Sequence, residues 1–311
     1  MDVHVTEVGP RDGLQAIQSI LPTHKKCEWI DALARAGLRE IEVGSFVSAR
    51  RVPQLADTAA VLSYARGIVG LDVVVLVPNL QGAHAAVEAG AKKLTIPISA
   101  SEAHSLANVG KTPEQMVEEL RRVKEYLHFK SSNYPDETFE VEVGISTSFG
   151  CSLAGRVSED HVIALAVECA RAGATSVGLS DTTGMASPTQ VRRLFSRLKT
   201  ELGALAGAAH LHNTRGLGLA NALAAYETGV RSFDSSLGGL GGCPYAPGAS
   251  GNIVTEDLVF MFEAMGVRTG VEFEALLRAR ELLRAALPLE PLYGMTPEAG
   301  LPKDFVWPSR F

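Results

Sequence analysis

The chain has 311 residues, of which 46% are hydrophobic and 21% charged, so it can bury a large core. Its formal net charge of −6 argues against a nucleic-acid-binding protein, although a small anionic ligand stays compatible with a local basic patch. No apolar run approaches the roughly 20 residues that span a bilayer, and the N-terminus lacks a secretory pattern. The 4 cysteines form no CxxC pair. We therefore expect a cytoplasmic protein with no membrane partner.

Short β-branched runs alternate with longer helical patterns along the whole chain. The predicted strands cover residues 3–8, 40–43, 71–77, 92–98, 138–145, 176–179, 209–212 and 232–235. The predicted helices cover residues 23–36, 54–64, 82–89, 112–128, 158–172, 187–202 and 217–228, with an eighth starting near Thr255 and a further one over 273–286.

This alternation, with strands apolar enough for burial on both faces, predicts a parallel sheet and, from the count of units, a (β/α)8 TIM barrel. A doubly wound open sheet is the alternative, but its GxGxxG turn is absent after the first strand. We expect a catalytic barrel over residues 1–270. Residues 271–311 are expected to form a short C-terminal helical extension and a tail that pack on the barrel.

A pair of histidines at the end of the seventh strand is the first candidate for chemistry. His210 and His212 are two residues apart, so an extended strand points both imidazoles to one face. With oxygen ligands such as Asp12 and Asn252 they form a mixed nitrogen and oxygen set. Such a set favours an octahedral divalent cation, Mg²⁺ or Mn²⁺, over a closed structural zinc site. The alternative is a pair of buried imidazoles hydrogen-bonded to neighbours.

Other polar residues are predicted at the same end of the barrel, where TIM barrels carry their active sites. Arg11 follows the first strand beside Asp12, Glu42 ends the second strand, and Asp181 follows the sixth. Arg11 is suited to stabilising an enolate oxygen. The alternative is that Arg11 and Asp12 are exposed charges in a type I turn with no catalytic role. Glu42 either holds Arg11 or is a strand-end charge. The glycine-rich loop over 238–252 is either a lid that carries Cys243 as an acid or base, or a flexible loop with an idle thiol.

Several separated motifs, in order, resemble the 3-hydroxy-3-methylglutaryl-CoA lyase family of barrel metalloenzymes. They are EVGPRDGLQ at 7–15, IEVGSFVS at 41–48, VPQLAD at 52–57, GLSDTTG at 178–184, HLHNT at 210–214, and the Cys243 loop through ASGNIVTEDL at 249–258. The likeness extends from Glu7 to about Gly270.

The resemblance implies an acyl-CoA substrate, a homodimer and a divalent cation held by Asp12, His210, His212 and Asn252. It implies that Arg11 neutralises the thioester oxygen as it becomes an enolate, and that Glu42 positions Arg11. Asp181, with His210, would take part in proton transfer from the substrate's tertiary hydroxyl. Cys243 would mediate protonation of the departing acetyl-CoA carbanion.

The chain also departs from the family pattern at positions that bear on the substrate. It has Arg215 after the histidine motif, where the lyases usually have a tyrosine, and Glu142 where an arginine is expected. Arg215 is either a contact for a different carboxylate or acyl group, or a surface charge.

The main expectation is cleavage of 3-hydroxy-3-methylglutaryl-CoA to acetyl-CoA and acetoacetate. The alternatives are cleavage of citramalyl-CoA or of a longer 3-substituted 3-hydroxyglutaryl-CoA, and a Claisen-condensing acyltransferase of the isopropylmalate synthase type. The condensing enzymes lack the Cys243 motif, and a non-catalytic barrel would not need Arg11 and Glu42.

Overall fold

Eight parallel strands close into a barrel in sequence order, and β8 pairs with β1. The computed structural model describes residues 1–134, 137–241 and 251–307. Its strands are His4–Glu7 (β1), Glu40–Ser45 (β2), Asp72–Leu76 (β3), Lys93–Ser99 (β4), Glu140–Ser146 (β5), Ser176–Asp181 (β6), Ala206–Leu211 (β7) and Ser232–Ser235 (β8). The predicted (β/α)8 TIM barrel is confirmed.

Helices surround the barrel and follow the strands in alternation. They are Thr23–Arg35 (α1), Thr58–Ala65 (α2), Leu80–Glu88 (α3), Glu102–Val109 (α4), Pro113–Asn133 (α5), Glu159–Arg171 (α6), Pro188–Leu202 (α7), Gly218–Glu227 (α8), Thr255–Ala264 (α9), Phe273–Ala286 (α10) and Met295–Ala299 (α11). Among the described residues, no helix is both long and apolar enough to span a membrane.

The hydrophobic core lies between the strands and the helices. On β4, Leu94 and Ile96 are fully buried in this core, whereas Thr95 between them lines the barrel interior. This is the period-2 alternation of a strand. Branched side chains usually fill the interior of a TIM barrel. Here several interior positions hold small residues such as Gly144 and Ala208, which leaves a cavity of about 1440 Å³.

Some local predictions were wrong in their bounds. β2 extends to Ser45, so Glu42 lies within the strand rather than at its end. Residues Gly9–Gly13 form one π-helical turn, so the type I turn that was the alternative for this motif does not form. Helix α4 was not predicted, although Ser101 caps its start and Gly110 adopts a left-handed conformation at its end.

Helix α10 of the C-terminal segment packs against α1 and α9 on the outside of the barrel. Beyond it, the backbone N–H of Tyr293 donates to the carbonyl of Gly238, in the segment that follows β8. The division into a barrel over 1–270 and an extension over 271–311 stays a prediction.

Candidate metal centre and active site

The turn after β1 places Arg11 and Asp12 at the mouth of the cavity. The carbonyl of Val8 accepts hydrogen bonds from the backbone N–H groups of Arg11 and Asp12, at 3.1 and 2.7 Å. Glycines bracket the turn because the backbone passes close to its neighbours. A Cβ atom at Gly9 would lie 2.5 Å from Glu7 Oε1, and one at Gly13 would lie 3.0 Å from a backbone oxygen. The two glycines of the GPRDG motif are therefore required by the geometry of this turn.

Two imidazoles and one carboxylate converge above the end of β7. His210 Nε2 and His212 Nε2 are 3.3 Å apart, and they lie 4.0 and 3.9 Å from Asp12 Oδ2. The ligand atoms of these residues are all within 4.8 Å of one another, so the group could hold a metal ion. Ligand atoms about 2.1 Å from an octahedral ion are themselves separated by roughly 3 Å or more.

Asn252 joins this group from the segment that follows β8. It forms an isolated antiparallel bridge with His212, and its Nδ2 donates to Asp12 Oδ2 at 2.7 Å. Asn252 Oδ1 is buried and has no hydrogen-bond partner among the described residues. An unpaired buried amide oxygen is costly unless something outside the chain satisfies it. The two imidazoles, the carboxylate and this oxygen therefore fit a divalent cation of the Mg²⁺ or Mn²⁺ type.

The orientation of His210 is fixed by Asp234 on β8. His210 Nδ1 lies 3.0 Å from Asp234 Oδ2, and the two residues are register partners across the β7–β8 pair. With the Nδ1 proton donated to the carboxylate, Nε2 keeps its lone pair for a cation. Burial opposes a charge on His210, but the Asp234 contact raises its pKa overall. Burial and the neighbouring imidazole lower the pKa of His212 to about 4, so it is neutral at pH 7.

Arg11 connects the candidate metal ligands to the barrel interior. Its Nε donates to Glu42 Oε2 and its Nη1 to Asp12 Oδ1, both at 2.6 Å. These bonds fix the plane of the guanidinium, which lines the cavity. Burial would raise the pKa of Asp12, but Arg11 and the imidazoles hold it well below its usual value. Burial raises the pKa of Glu42 to about 7, against the opposing effect of Arg11.

A second charged group occupies the barrel interior. Lys93 Nζ lies 2.5 Å from Glu40 Oε2 and 3.0 Å from Glu142 Oε1. His4 Nε2 is 3.7 Å from Glu40 Oε2. Glu142 therefore pairs with a lysine of this chain. Burial, only partly offset by Lys93, raises the pKa of Glu142 to about 7.

The structure does not bring every candidate residue into this site. Both carboxylate oxygens of Asp181 accept backbone hydrogen bonds, from Met185 and Ala186 at 2.8 and 3.1 Å, and Asp181 is not among the described residues that line the cavity. Burial raises the pKa of Asp181 to about 6. Arg215 is exposed and donates to the carbonyls of Thr183 and Gly184. Cys243 lies outside the described residues.

Sequence reasoning missed Asp234 and the Lys93 group. A signal for them was present, because charged residues inside strands expected to be buried on both faces must find partners in the barrel interior. Asp234, Lys93 and Glu40 all fall inside or at the start of predicted strands. Their partners lie on other strands, so the alternation alone did not pair them.

Known proteins resemble the chain over nearly its full length. The chain is 40% identical to the mitochondrial hydroxymethylglutaryl-CoA lyase of Rattus norvegicus over 285 residues, which are 92% of this chain and 86% of the relative. It is also 40% identical to the (R)-citramalyl-CoA lyase of Chloroflexus aurantiacus over 304 residues, covering 94% of each chain. Both relatives are named as lyases of a CoA ester.

A solved structure shows the same fold. The HMG-CoA lyase of Acinetobacter baumannii, in complex with coenzyme A and 3-methylmalate, superimposes with a TM-score of 0.90 and 42% identity, covering 98% of this chain and 97% of that one. The family model described as HMGL-like matches residues 2–283. With this match and relatives about 40% identical, the chain belongs to the HMGL-like family.

Proposed function

We propose that this chain is a metal-dependent carbon–carbon lyase that cleaves 3-hydroxy-3-methylglutaryl-CoA to acetyl-CoA and acetoacetate. The observation that carries the proposal is the convergence of Asp12, His210 and His212, with Arg11 bonded to Asp12 beside them. Membership of the HMGL-like family supports the reaction class.

The cleavage needs three things: removal of the proton on the C3 hydroxyl, polarisation of the ketone that forms there, and stabilisation of the enolate that leaves. A cation held by Asp12, His210, His212 and Asn252 would polarise the C3 oxygen as a Lewis acid. Arg11 would donate hydrogen bonds to the thioester oxygen as negative charge develops on it. Glu42 keeps the guanidinium in its plane, so that little rearrangement is needed at the moment of reaction.

Two proton transfers remain, and we assign them from the family resemblance. Asp181, with His210, would accept the hydroxyl proton. The raised pKa of Asp181, about 6, is near the range of a general base. Asp181 is not among the described residues that line the cavity, and its two oxygens accept backbone hydrogen bonds, so it would have to change position to reach the hydroxyl. Cys243 would deliver a proton to the acetyl-CoA carbanion.

The remaining assignments concern the ion, the substrate carrier and the assembly. We propose Mg²⁺ or Mn²⁺ as the ion, because the donor set is nitrogen and oxygen only. An acyl-CoA would enter by the cavity mouth, where the exposed Arg51 lies among the lining residues and could meet a phosphate. A homodimer in the cytoplasm completes the proposal.

A second candidate substrate is citramalyl-CoA or a longer 3-hydroxyacyl-CoA. The observation that favours it is Glu142, which lines the cavity with Lys93 as its partner, where the family pattern has an arginine. A changed charge arrangement under the acyl group would alter which substituent on C3 is accepted.

Steady-state assays with Mn²⁺ would decide between these substrates. The main proposal predicts a larger kcat/KM for 3-hydroxy-3-methylglutaryl-CoA than for citramalyl-CoA, with acetyl-CoA and acetoacetate formed in equal amounts. The reverse order of kcat/KM would assign the second candidate. Acceptance of acetyl-CoA and a 2-oxo acid in condensation, with no cleavage of either ester, would reject both in favour of the condensing acyltransferase.

A further inference from the structure

Arg280 on helix α10 is a fully buried arginine, about 1% exposed, on the outside of the barrel. Its Nη1 donates to Glu256 Oε1 at 2.7 Å and to the carbonyl of Tyr293 at 2.8 Å. Its Nη2 donates to the carbonyl of Leu292 at 3.3 Å. Burying an arginine is costly, so one that binds a buried carboxylate and two carbonyls at once has a specific structural role.

The partner carboxylate connects Arg280 to the segment that follows β8, which we call the strap (residues 236–241). Glu256 is fully buried, and its two oxygens accept the backbone N–H of Gly238 at 2.9 and 3.2 Å. The carbonyl of Gly238 in turn accepts the N–H of Tyr293 at 2.7 Å. Gly238 has a φ of +64°, and a Cβ there would lie 2.9 Å from Leu292 and 3.1 Å from Arg280 Nη1. Both backbone groups of Gly238 are thus held by this one cluster.

The strap holds the segment that carries Asn252. The backbone N–H of Ser236 donates to the carbonyl of Ile253 at 3.0 Å, and the carbonyl of Ser236 accepts from the backbone N–H of Thr255 at 3.1 Å. A Cβ at Gly251 would lie 2.4 Å from the carbonyl oxygen of Gly239, so the two backbones are in contact.

The opposite side of the Asn252 segment pairs with the end of β7. Ile253 N donates to the carbonyl of Leu211 at 3.1 Å, and Asn213 N to that of Gly251 at 3.2 Å. Residues 251–254 therefore lie between the strap and the end of β7, where His210 and His212 are found. Because Asn252 lies in this segment, we expect a displacement of the strap to change the distance of Asn252 from Asp12.

We propose that Arg280 is a positioning residue for the candidate metal centre: it fixes the strap through Glu256, and the strap in turn holds Asn252 over Asp12. This inference rests on the proposed role of Asn252 as a metal ligand. It gives the C-terminal extension a role in catalysis, although none of its described residues, which end at 307, is among those that line the cavity. Partners that orient metal ligands typically contribute about 10–100-fold to metal affinity or activity.

The test compares Arg280→Met and Arg280→Lys with Arg284→Met in the full-length protein. Arg284 is on the same helix, and its side chain is 51% exposed, so the control makes the same chemical change away from the cluster. The measurements are the Kd of Mn²⁺ for folded protein, hydrogen exchange of peptides from 236–241 and 251–254, and thermal unfolding. Arg280→Met is expected to weaken Mn²⁺ binding about tenfold and to speed exchange in both segments. Arg280→Lys can restore only part of the forked contact and is expected to fall in between.

A residue that only stabilises the fold would lower the unfolding temperature and leave the Kd of Mn²⁺ unchanged. That result for Arg280→Met overturns the proposal. If Arg280→Met does not fold, Arg280→Lys decides, because an Mn²⁺ Kd and exchange rates equal to wild type overturn it as well. Failure of the proposed function would give a different result. The wild-type protein would then bind Mn²⁺ or show its usual hydrogen exchange, but it would cleave no CoA ester.

Discussion

His210 and Asp234 are register partners on neighbouring strands, and their side chains meet at 3.0 Å inside the barrel. The contact favours the tautomer of His210 with its proton on Nδ1, so that the lone pair of Nε2 faces His212. Asp234 is therefore part of the candidate metal centre, although it is not itself a ligand.

Replacement of Asp234 should therefore affect metal binding. Asp234→Ala is expected to weaken Mn²⁺ binding about 10–100-fold, because His210 loses the acceptor that orients it. Asp234→Asn keeps an oxygen acceptor and should have a smaller effect. Calorimetric titration of metal-free protein measures both. Equal Mn²⁺ affinity in all three proteins would show that His210 is oriented by something else.

Arg11 should be more important for turnover than for folding. Arg11→Lys keeps the charge but loses the fork that reaches Glu42 and Asp12 together. Loss of one preorganised donor to a developing oxyanion typically costs about 100–1000-fold in kcat, and we expect a decrease of that order. Steady-state kinetics at saturating Mn²⁺ give the result. A decrease confined to KM would mean that Arg11 only binds the substrate.

His212 and Cys243 are expected to separate metal binding from proton delivery. His212→Ala should lower both metal occupancy and activity, since it removes a candidate ligand. Cys243→Ala should strongly lower turnover with little loss of metal. Metal content after gel filtration, together with kcat, distinguishes the two. Wild-type activity in either variant would remove that residue from the mechanism.

Glu7 should make stability depend on pH. It is fully buried, and burial raises its pKa to about 8, from an ordinary value of 4.5. The folded protein therefore keeps a proton that the unfolded chain releases above about pH 4.5. The resulting stability is complete below that pH and is lost as the pH rises towards 8.

The variant Glu7→Gln provides the measurement. Its amide oxygen can accept the bonds that Glu7 Oε1 receives from Gly9 and Leu237, and its amide group can donate to Thr255. Its unfolding temperature should fall less than that of wild type between pH 5.5 and pH 8, with a chelator present so that metal binding does not contribute. Parallel curves would show that Glu7 is ionised in the folded protein throughout this range.

Much of the fold could be predicted because the alternation of strands and helices is a local property. The eight strands were located from β-branched runs, and the ends of strands and the loops after them identified Asp12, His210 and Asn252 as neighbours. The sequence alone did not predict which charged side chains pair with each other across the barrel. The contacts of Asp234 with His210, and of Lys93 with Glu142, depend on strand register. The burial of Arg280 could not be predicted either, because a buried arginine in an amphipathic helix gives the same sequence pattern as an exposed one.

The most direct test of the central claim is acetyl-CoA release from 3-hydroxy-3-methylglutaryl-CoA by metal-free protein titrated with Mn²⁺, with a chelated sample alongside. We predict release that rises with Mn²⁺ to a rate on the order of 1 per second or more, and none above background with the chelator. Release that is unaffected by chelation would contradict a metal-dependent mechanism at Asp12, His210 and His212. Folded, metal-loaded protein that cleaves none of this ester, citramalyl-CoA and a longer 3-substituted 3-hydroxyglutaryl-CoA would contradict the lyase assignment itself.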